Sequence, residues 1–228
     1  MQKFRTVLGA ATFLLICAAI YMVFIYAPVP SNVTDMPEVQ KILYFHVSAA
    51  WIGFLAFFVV FVCSIVYLKN RSRKWDMVAA SSAEVGVVYT SIVLLTGPVW
   101  GKAAWNVWWT WDPRLTTTLV LWFIYVAYLI IRNSAEEDEK RARFAAVFGI
   151  IGFIDVPIVF MAIRWWRTIH PIIFESNSVG LTPKMLTTLF VSLGAFTLLY
   201  LYYMLLRLDI SKAKLQLAEL KERLRSHY

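Results

Sequence analysis

Apolar and polar positions along this chain alternate on the scale of a membrane crossing rather than of a helix turn or a strand. Six apolar stretches of about the 20 residues that span roughly 30 Å of hydrocarbon fall at Phe4 to Ala27, Ile42 to Leu68, Met77 to Val99, Leu115 to Ile131, Phe144 to Ile163 and Pro183 to Leu206. The pattern predicts an all-α, polytopic bundle of six transmembrane helices. Residues 1–206 then form one membrane domain, and residues 207–228 a cytoplasmic helical tail. In that tail Leu217, Leu220 and Leu224 share one helical face. This fits a partner-docking helix or, as the favoured reading, the sixth span running on into solvent. The first span follows a short basic start but is longer than a signal-peptide core and has no small-residue cleavage site after it, so it is expected to be retained.

Composition strengthens this picture. Of 228 residues 60% are hydrophobic and 16% charged, with a mean hydropathy of +0.65, which leaves too little polar surface to cover a water-soluble globule. The net charge of +8 is unevenly placed: Lys3 and Arg5 precede span 1, and Lys69, Arg71, Arg73 and Lys74 follow span 2. Arg132, Lys140, Arg141 and Arg143 follow span 4, and six more cations lie from Arg207 onward, making 16 of the 22 on one side. Lys and Arg near span ends are retained in the cytoplasm, so both termini are expected there, and the charge is topological rather than a nucleic-acid footprint. The stretch from Arg132 to Arg143, with its acids Glu136 to Glu139, reads as a solvated cytoplasmic turn. Asn32-Val33-Thr34 matches a glycosylation sequon, a pattern too short to weigh. Cys17 and Cys63 lie within spans and form no C-x-x-C pair, which reads as packing rather than redox chemistry.

On the opposite, outer side the chain reads W-G-K-A-A-W-N-V-W-W-T-W-D from Trp100 to Asp112. Five of its ten tryptophans, Trp100, Trp105, Trp108, Trp109 and Trp111, fall here, and Trp165 and Trp166 fall in the next outer segment. Headgroup belts spread their aromatics over many span ends; that explanation serves for Trp51, Trp75 and Trp122 but fits seven tryptophans in two segments poorly. Each indole offers an apolar plane and one N–H donor, so a cluster beside cations suits a flat amphipathic ligand with acidic groups. Haem is such a ligand.

Two of the three histidines support it. His46 sits about one turn into span 2 from the outer side, and His170 just beyond the outer end of span 5; His227 lies in the tail. A neutral imidazole offers one ring nitrogen to iron, so two histidines on either side of a porphyrin would fill both axial positions. Ser48, Ala49, Ala50 and Gly53 would admit close approach of a helix or flat ring, and Pro171 a stop or turn after His170. The plainer alternative makes His46 a partner for a neighbouring helix and His170 an interfacial loop residue. Among Lys102, Arg114, Arg164 and Arg167, Arg114 is the preferred contact for a haem propionate, with Asp112 beside it to orient it; lipid headgroups are the competing partners of such cations. Glu84 and Asp155 lie at membrane depth, where an acid must be neutral, paired or turned inward. A proton path and an interhelical hydrogen bond both remain open for them, and Gly86 and Pro157 predict local backbone irregularity nearby.

The run Trp100-Gly101-Lys102, Trp105, Trp108-Trp109, Trp111-Asp112 and Arg114-Leu115-Thr116 resembles the WWD signature of haem-handling membrane proteins. Among these the chain is most similar to the CcmC family of cytochrome c maturation, in six spans, in the L-x-x-H-V context of His46 and in the W-W-x-T-x-H ending at His170. The resemblance covers almost the whole chain. It implies a b-type haem with His46 and His170 as axial ligands. Trp100, Trp105, Trp108, Trp109, Trp111 and Asp112 would make the platform, with Arg114 as propionate contact. It also implies partners: CcmA- and CcmB-like ABC subunits, a small CcmD-like membrane protein and a CcmE-like haem chaperone as acceptor, in a bacterial inner membrane with the site on the periplasmic side. Such a chain transfers haem and needs no catalytic site of its own. Pro113, where the family usually has a small residue, and Arg164, where an acid often precedes the Trp pair, depart from the pattern. The competing functions are a cytochrome b-like electron-transfer subunit, which would usually bury paired histidines in the bilayer, and a stand-alone haem permease, for which midplane ionisable groups are few.

Overall fold

The computed structural model describes residues 2–29, 37–133, 138–171 and 180–225. The sequon at Asn32, the acids Glu136 and Glu137, and His227 lie outside them. Among the described residues there is no strand. The helices are α1 (Gln2–Tyr21), α2 (Ile42–Asn70), α3 (Arg73–Trp105), α4 (Pro113–Arg132), α5 (Asp138–Phe153), α6 (Asp155–Trp165) and α7 (Pro183–Arg225). A π-helical turn, Met22–Tyr26, extends α1, and a 3₁₀ turn, Pro37–Lys41, leads into α2. Six segments are long and apolar enough to cross a membrane: Gln2–Tyr26, Pro37–Asn70, Arg73–Trp105, Pro113–Arg132, Glu139–Trp165 and Pro183–Arg225. The all-α, six-span expectation is met.

The fifth crossing is built from α5 and α6, interrupted at Ile154. Pro157 has no N–H to offer the carbonyl four residues back and its ring crowds that carbonyl, so a continuous helix fails there. Ile154 N–H turns to the Ile151 carbonyl at 3.1 Å instead. Gly86 behaves differently from expectation. It leaves α3 unbroken, and its missing side chain makes room for a neighbour, since a Cβ would lie 2.5 Å from Phe57 Cε1.

Helix α2 is central, packed against α3, α5 and α7, while α1 rests on α7 and α4 touches α3, α5 and α6. In lipid the gain from association comes from close packing and interhelical hydrogen bonds rather than from hiding apolar surface. Accordingly Phe57 and Tyr125 stack with centroids 3.6 Å apart inside a cluster that includes Val60, Ala83, Leu121 and Tyr128. Trp51 and Trp122 are not belt residues. Each stands in the third turn of its helix and donates its indole N–H across an interface, Trp51 to Thr197 Oγ1 at 3.1 Å and Trp122 to Ser91 Oγ at 2.8 Å. The two membrane acids also part company: Glu84 pairs with Arg207 of α7, whereas Asp155 Oδ2, at the α5/α6 break, is buried without a hydrogen-bond partner. The turn expected from Arg132 to Arg143 is shorter than anticipated, because α5 begins at Asp138, and Arg132 is held by a forked pair with Asp76 at the start of α3.

Candidate functional site

The tryptophan segment is partly helical. Trp100 and Trp105 belong to the last two turns of α3, edge-to-face with centroids 5.0 Å apart, and Trp100 donates to Gln40 Oε1 at 3.1 Å. Asn106 ends α3 in the left-handed conformation (φ 58°), a role Asn tolerates better than most residues. Lys102 serves that end, donating to Asn106 O at 3.1 Å and Oδ1 at 2.8 Å, so it is a helix cap here and not a free cation. The irregular stretch beyond carries Trp108, exposed at 60%, then Trp109 edge-to-face with Trp111, which is exposed at 76%. Between Gly97, Gly101, Trp105, Val107, Trp108, Trp109, Thr110 and Leu115 lies a recess of about 180 Å³. That figure includes open solvent, and the enclosed part has room for little more than a water molecule, so the recess is too small to enclose a porphyrin.

Asp112 is the N-cap of α4, accepting the Arg114 backbone N–H at 3.0 Å through Oδ1. Pro113 occupies the first helical position, where its fixed φ fits and its missing N–H is not needed; the departure from the family pattern is therefore sterically benign. The other carboxylate oxygen, Oδ2, accepts the Ile169 N–H at 3.1 Å. One buried acid thus ties the tryptophan segment to the segment carrying His170. Next along, His170 N–H donates to Thr168 Oγ1 at 3.0 Å.

Both histidines lie toward this end of the bundle. His46, on the second turn of α2, has Nδ1 2.9 Å from Thr96 Oγ1 of α3. His170 Nδ1 lies 3.2 Å from the Pro171 carbonyl, an obligate acceptor, which puts the proton on Nδ1 and leaves Nε2 as the free lone pair. Each imidazole feels the charge of Arg114, and His170 also feels that of His46. Burial, then the Arg114 guanidinium, lowers the His170 pKa to about 4, so its ring is neutral, as iron ligation requires. Arg114 sits two residues into α4, half-buried, and its guanidinium forms no ion pair with Asp112, which acts on it only through space and the backbone.

Trp165 and Trp166 pair edge-to-face with each other and are exposed at 58% and 49%. Thr96, Gly97, Gln40 and Thr168 touch the candidate residues His46, Trp100 and His170 and carry no signal in the sequence, being ordinary residues whose relevance comes from a neighbouring helix or turn.

Fold and site together define a polytopic α-helical membrane protein with a two-histidine, tryptophan-rich end. A family model described as Heme exporter protein C (CcmC) matches residues 1–222, and the chain belongs to that family. It is 32% identical over 195 residues to Heme exporter protein C of Bradyrhizobium diazoefficiens, covering 85% of this chain and 73% of the relative. It is 30% identical to a putative cytochrome c biosynthesis ccmC-like mitochondrial protein of Marchantia polymorpha, over 85% of this chain and 82% of that one. Against Heme exporter protein C of Escherichia coli K12 it is 34% identical over 130 residues, 57% of this chain and 53% of the relative.

Proposed function

We propose that this chain takes part in haem export for cytochrome c maturation, binding a b-type haem at the outer face of the inner membrane and passing it to a CcmE-like chaperone. It does so as a transfer component with CcmA-, CcmB- and CcmD-like partners and without a catalytic step of its own. The observation that carries this reading is the placement of His46 and His170 at one end of the bundle, both under the charge of Arg114. Two nitrogen ligands and one cation are the donor set that an iron porphyrin with acidic side groups requires. Haem is the cargo, so the site must hold and then yield it. His46 stands on a long helix, His170 on the irregular segment after α6. An acceptor ligand that replaces His170 disturbs only that segment, while His46 keeps its place. Trp108 and Trp111, with most of their surface open, supply stacking faces that an incoming chaperone can reach.

Absorption spectra of the full chain purified in detergent test this. Wild type is expected to carry low-spin haem with two imidazole ligands, and His46→Ala and His170→Ala each to lose it. Arg114→Gln should weaken retention without changing the ligation spectrum. Unchanged haem content and spectrum in both histidine variants would refute the assignment.

A further inference from the structure

Three ring nitrogens in this bundle meet a helix hydroxyl in the same way. Trp51 Nε1 lies 3.1 Å from Thr197 Oγ1, which donates to the Leu193 carbonyl at 2.7 Å. Trp122 Nε1 lies 2.8 Å from Ser91 Oγ, which donates to the Val87 carbonyl at 2.8 Å. His46 Nδ1 lies 2.9 Å from Thr96 Oγ1, which donates to the Ile92 carbonyl at 2.7 Å. In each case the hydroxyl lies within donating distance of the carbonyl four residues back in its own helix, which leaves its lone pairs for the ring. For the two tryptophans the direction is forced, because an indole N–H can only donate. At His46 the Thr96 hydroxyl likewise has the Ile92 carbonyl to donate to, and with its proton there the 2.9 Å contact is a hydrogen bond donated by Nδ1–H.

We propose that Thr96 is a positioning residue for haem ligation, holding the His46 imidazole in the tautomer that presents the Nε2 lone pair. The proposal rests on His46 being an axial ligand. Gly97 completes the seat, since even a Cβ at that position would stand 3.4 Å from His46 Cε1, so the α3 backbone lies against the ring edge. His170 reaches the same tautomer through a backbone carbonyl, which no side-chain substitution removes; Thr96 is therefore the side chain through which one of the two ligands is set. Partners of this kind orient the ring and raise its basicity, and their loss costs on the order of 10-fold or more in metal affinity.

Two measurements separate the proposal from the reading beneath it. In the haem-free full chain, with His170 and His227 replaced by Gln and histidine labelled with nitrogen-15, ring shifts at pH 8 report the His46 tautomer. Wild-type Thr96 and Thr96→Ser should show a single species protonated at Nδ1, and Thr96→Val, equal in shape but without the acceptor, a mixture. A wild-type ring protonated at Nε2, or a Thr96→Val ring unchanged from wild type, overturns the proposal without any haem being present. In the haem-loaded chain with both histidines intact, transfer to excess apomyoglobin should be about 10-fold faster for Thr96→Val and close to wild type for Thr96→Ser. If His46→Ala releases haem faster and Thr96→Val does not, Thr96 has no part in ligation. If His46→Ala keeps haem as wild type does, the ligand assignment itself fails.

Discussion

Asp112 accepts two backbone N–H groups, one from the first turn of α4 and one from Ile169, next to His170. Its removal therefore has a local cost and a distant one. Loss of the N-cap alone costs about 1 kcal/mol, and the freed Ile169 donor no longer fixes the segment bearing the ligand. Asp112→Ala is expected to lower the melting temperature modestly yet to lose haem far more than that change implies; Asp112→Asn, which keeps one acceptor oxygen, should fall between. Haem content measured alongside thermal circular dichroism distinguishes this from simple destabilisation, which would move both together. His170 makes a second residue-level prediction. Its pKa of about 4, set first by burial and then by Arg114, leaves the ring neutral at pH 6, where an ordinary histidine near 6.5 is about three-quarters protonated. A nitrogen-15 titration of the haem-free chain should show no His170 transition above pH 5. Because the folded-state value lies below the unfolded one, the unfolded chain takes up this proton first, so stability declines as pH falls from about 6.5 to about 4 and levels off below. A His170 midpoint near 6.5 would mean that the ring is solvated and does not feel Arg114.

Among the helices, close approach is achieved at glycines that face the side chains of a neighbouring helix, Phe57 at Gly86, Ile124 at Gly152 and Val60 at Gly149. Gly86 gives way to Phe57, which in turn stacks on Tyr125, coupling α2, α3 and α4 through one contact. A methyl at Gly86 would fall 2.5 Å from Phe57 Cε1, whereas one at Gly194 would meet Leu15 Cδ2 at 3.6 Å, an ordinary contact. Gly86→Ala should thus cost about 1–3 kcal/mol by overpacking, and Gly194→Ala nothing measurable, as read from melting in the same detergent. Equal melting temperatures for the two would mean that the ring yields freely. The α5/α6 break has its sequence mark in Pro157, but the glycine contacts have none: a glycine that loosens a helix and one that admits a ring look alike until the facing element is known.

At the scale of the whole molecule, six crossings place the start of α2, the α3–α4 connection and the end of α6 at one end of the bundle, while the charged ends of α2, α4 and α7 gather at the other. From the lopsided Lys and Arg distribution we propose that the latter end is cytoplasmic. In a chain with Cys17 and Cys63 replaced by Ser, a cysteine at Val107 should be labelled by an impermeant reagent in intact cells, and one at Ser72 only after lysis; the reverse result would invert the topology and the haem side with it. From the sequence by itself came the number of spans, the clustering of tryptophan and histidine between them and the family signature, because hydrophobic length and local composition are properties of contiguous residues. Tertiary structure alone decided how these polar groups are spent: Asp112 on the His170 segment, Trp51 and Trp122 on hydroxyls of neighbouring helices, and the Thr96 hydroxyl on His46. In a bilayer few such groups can turn to water, so each takes whichever partner the packing brings within about 3 Å, and that partner lies 31 to 146 residues away for the two indoles and the two cross-element site contacts.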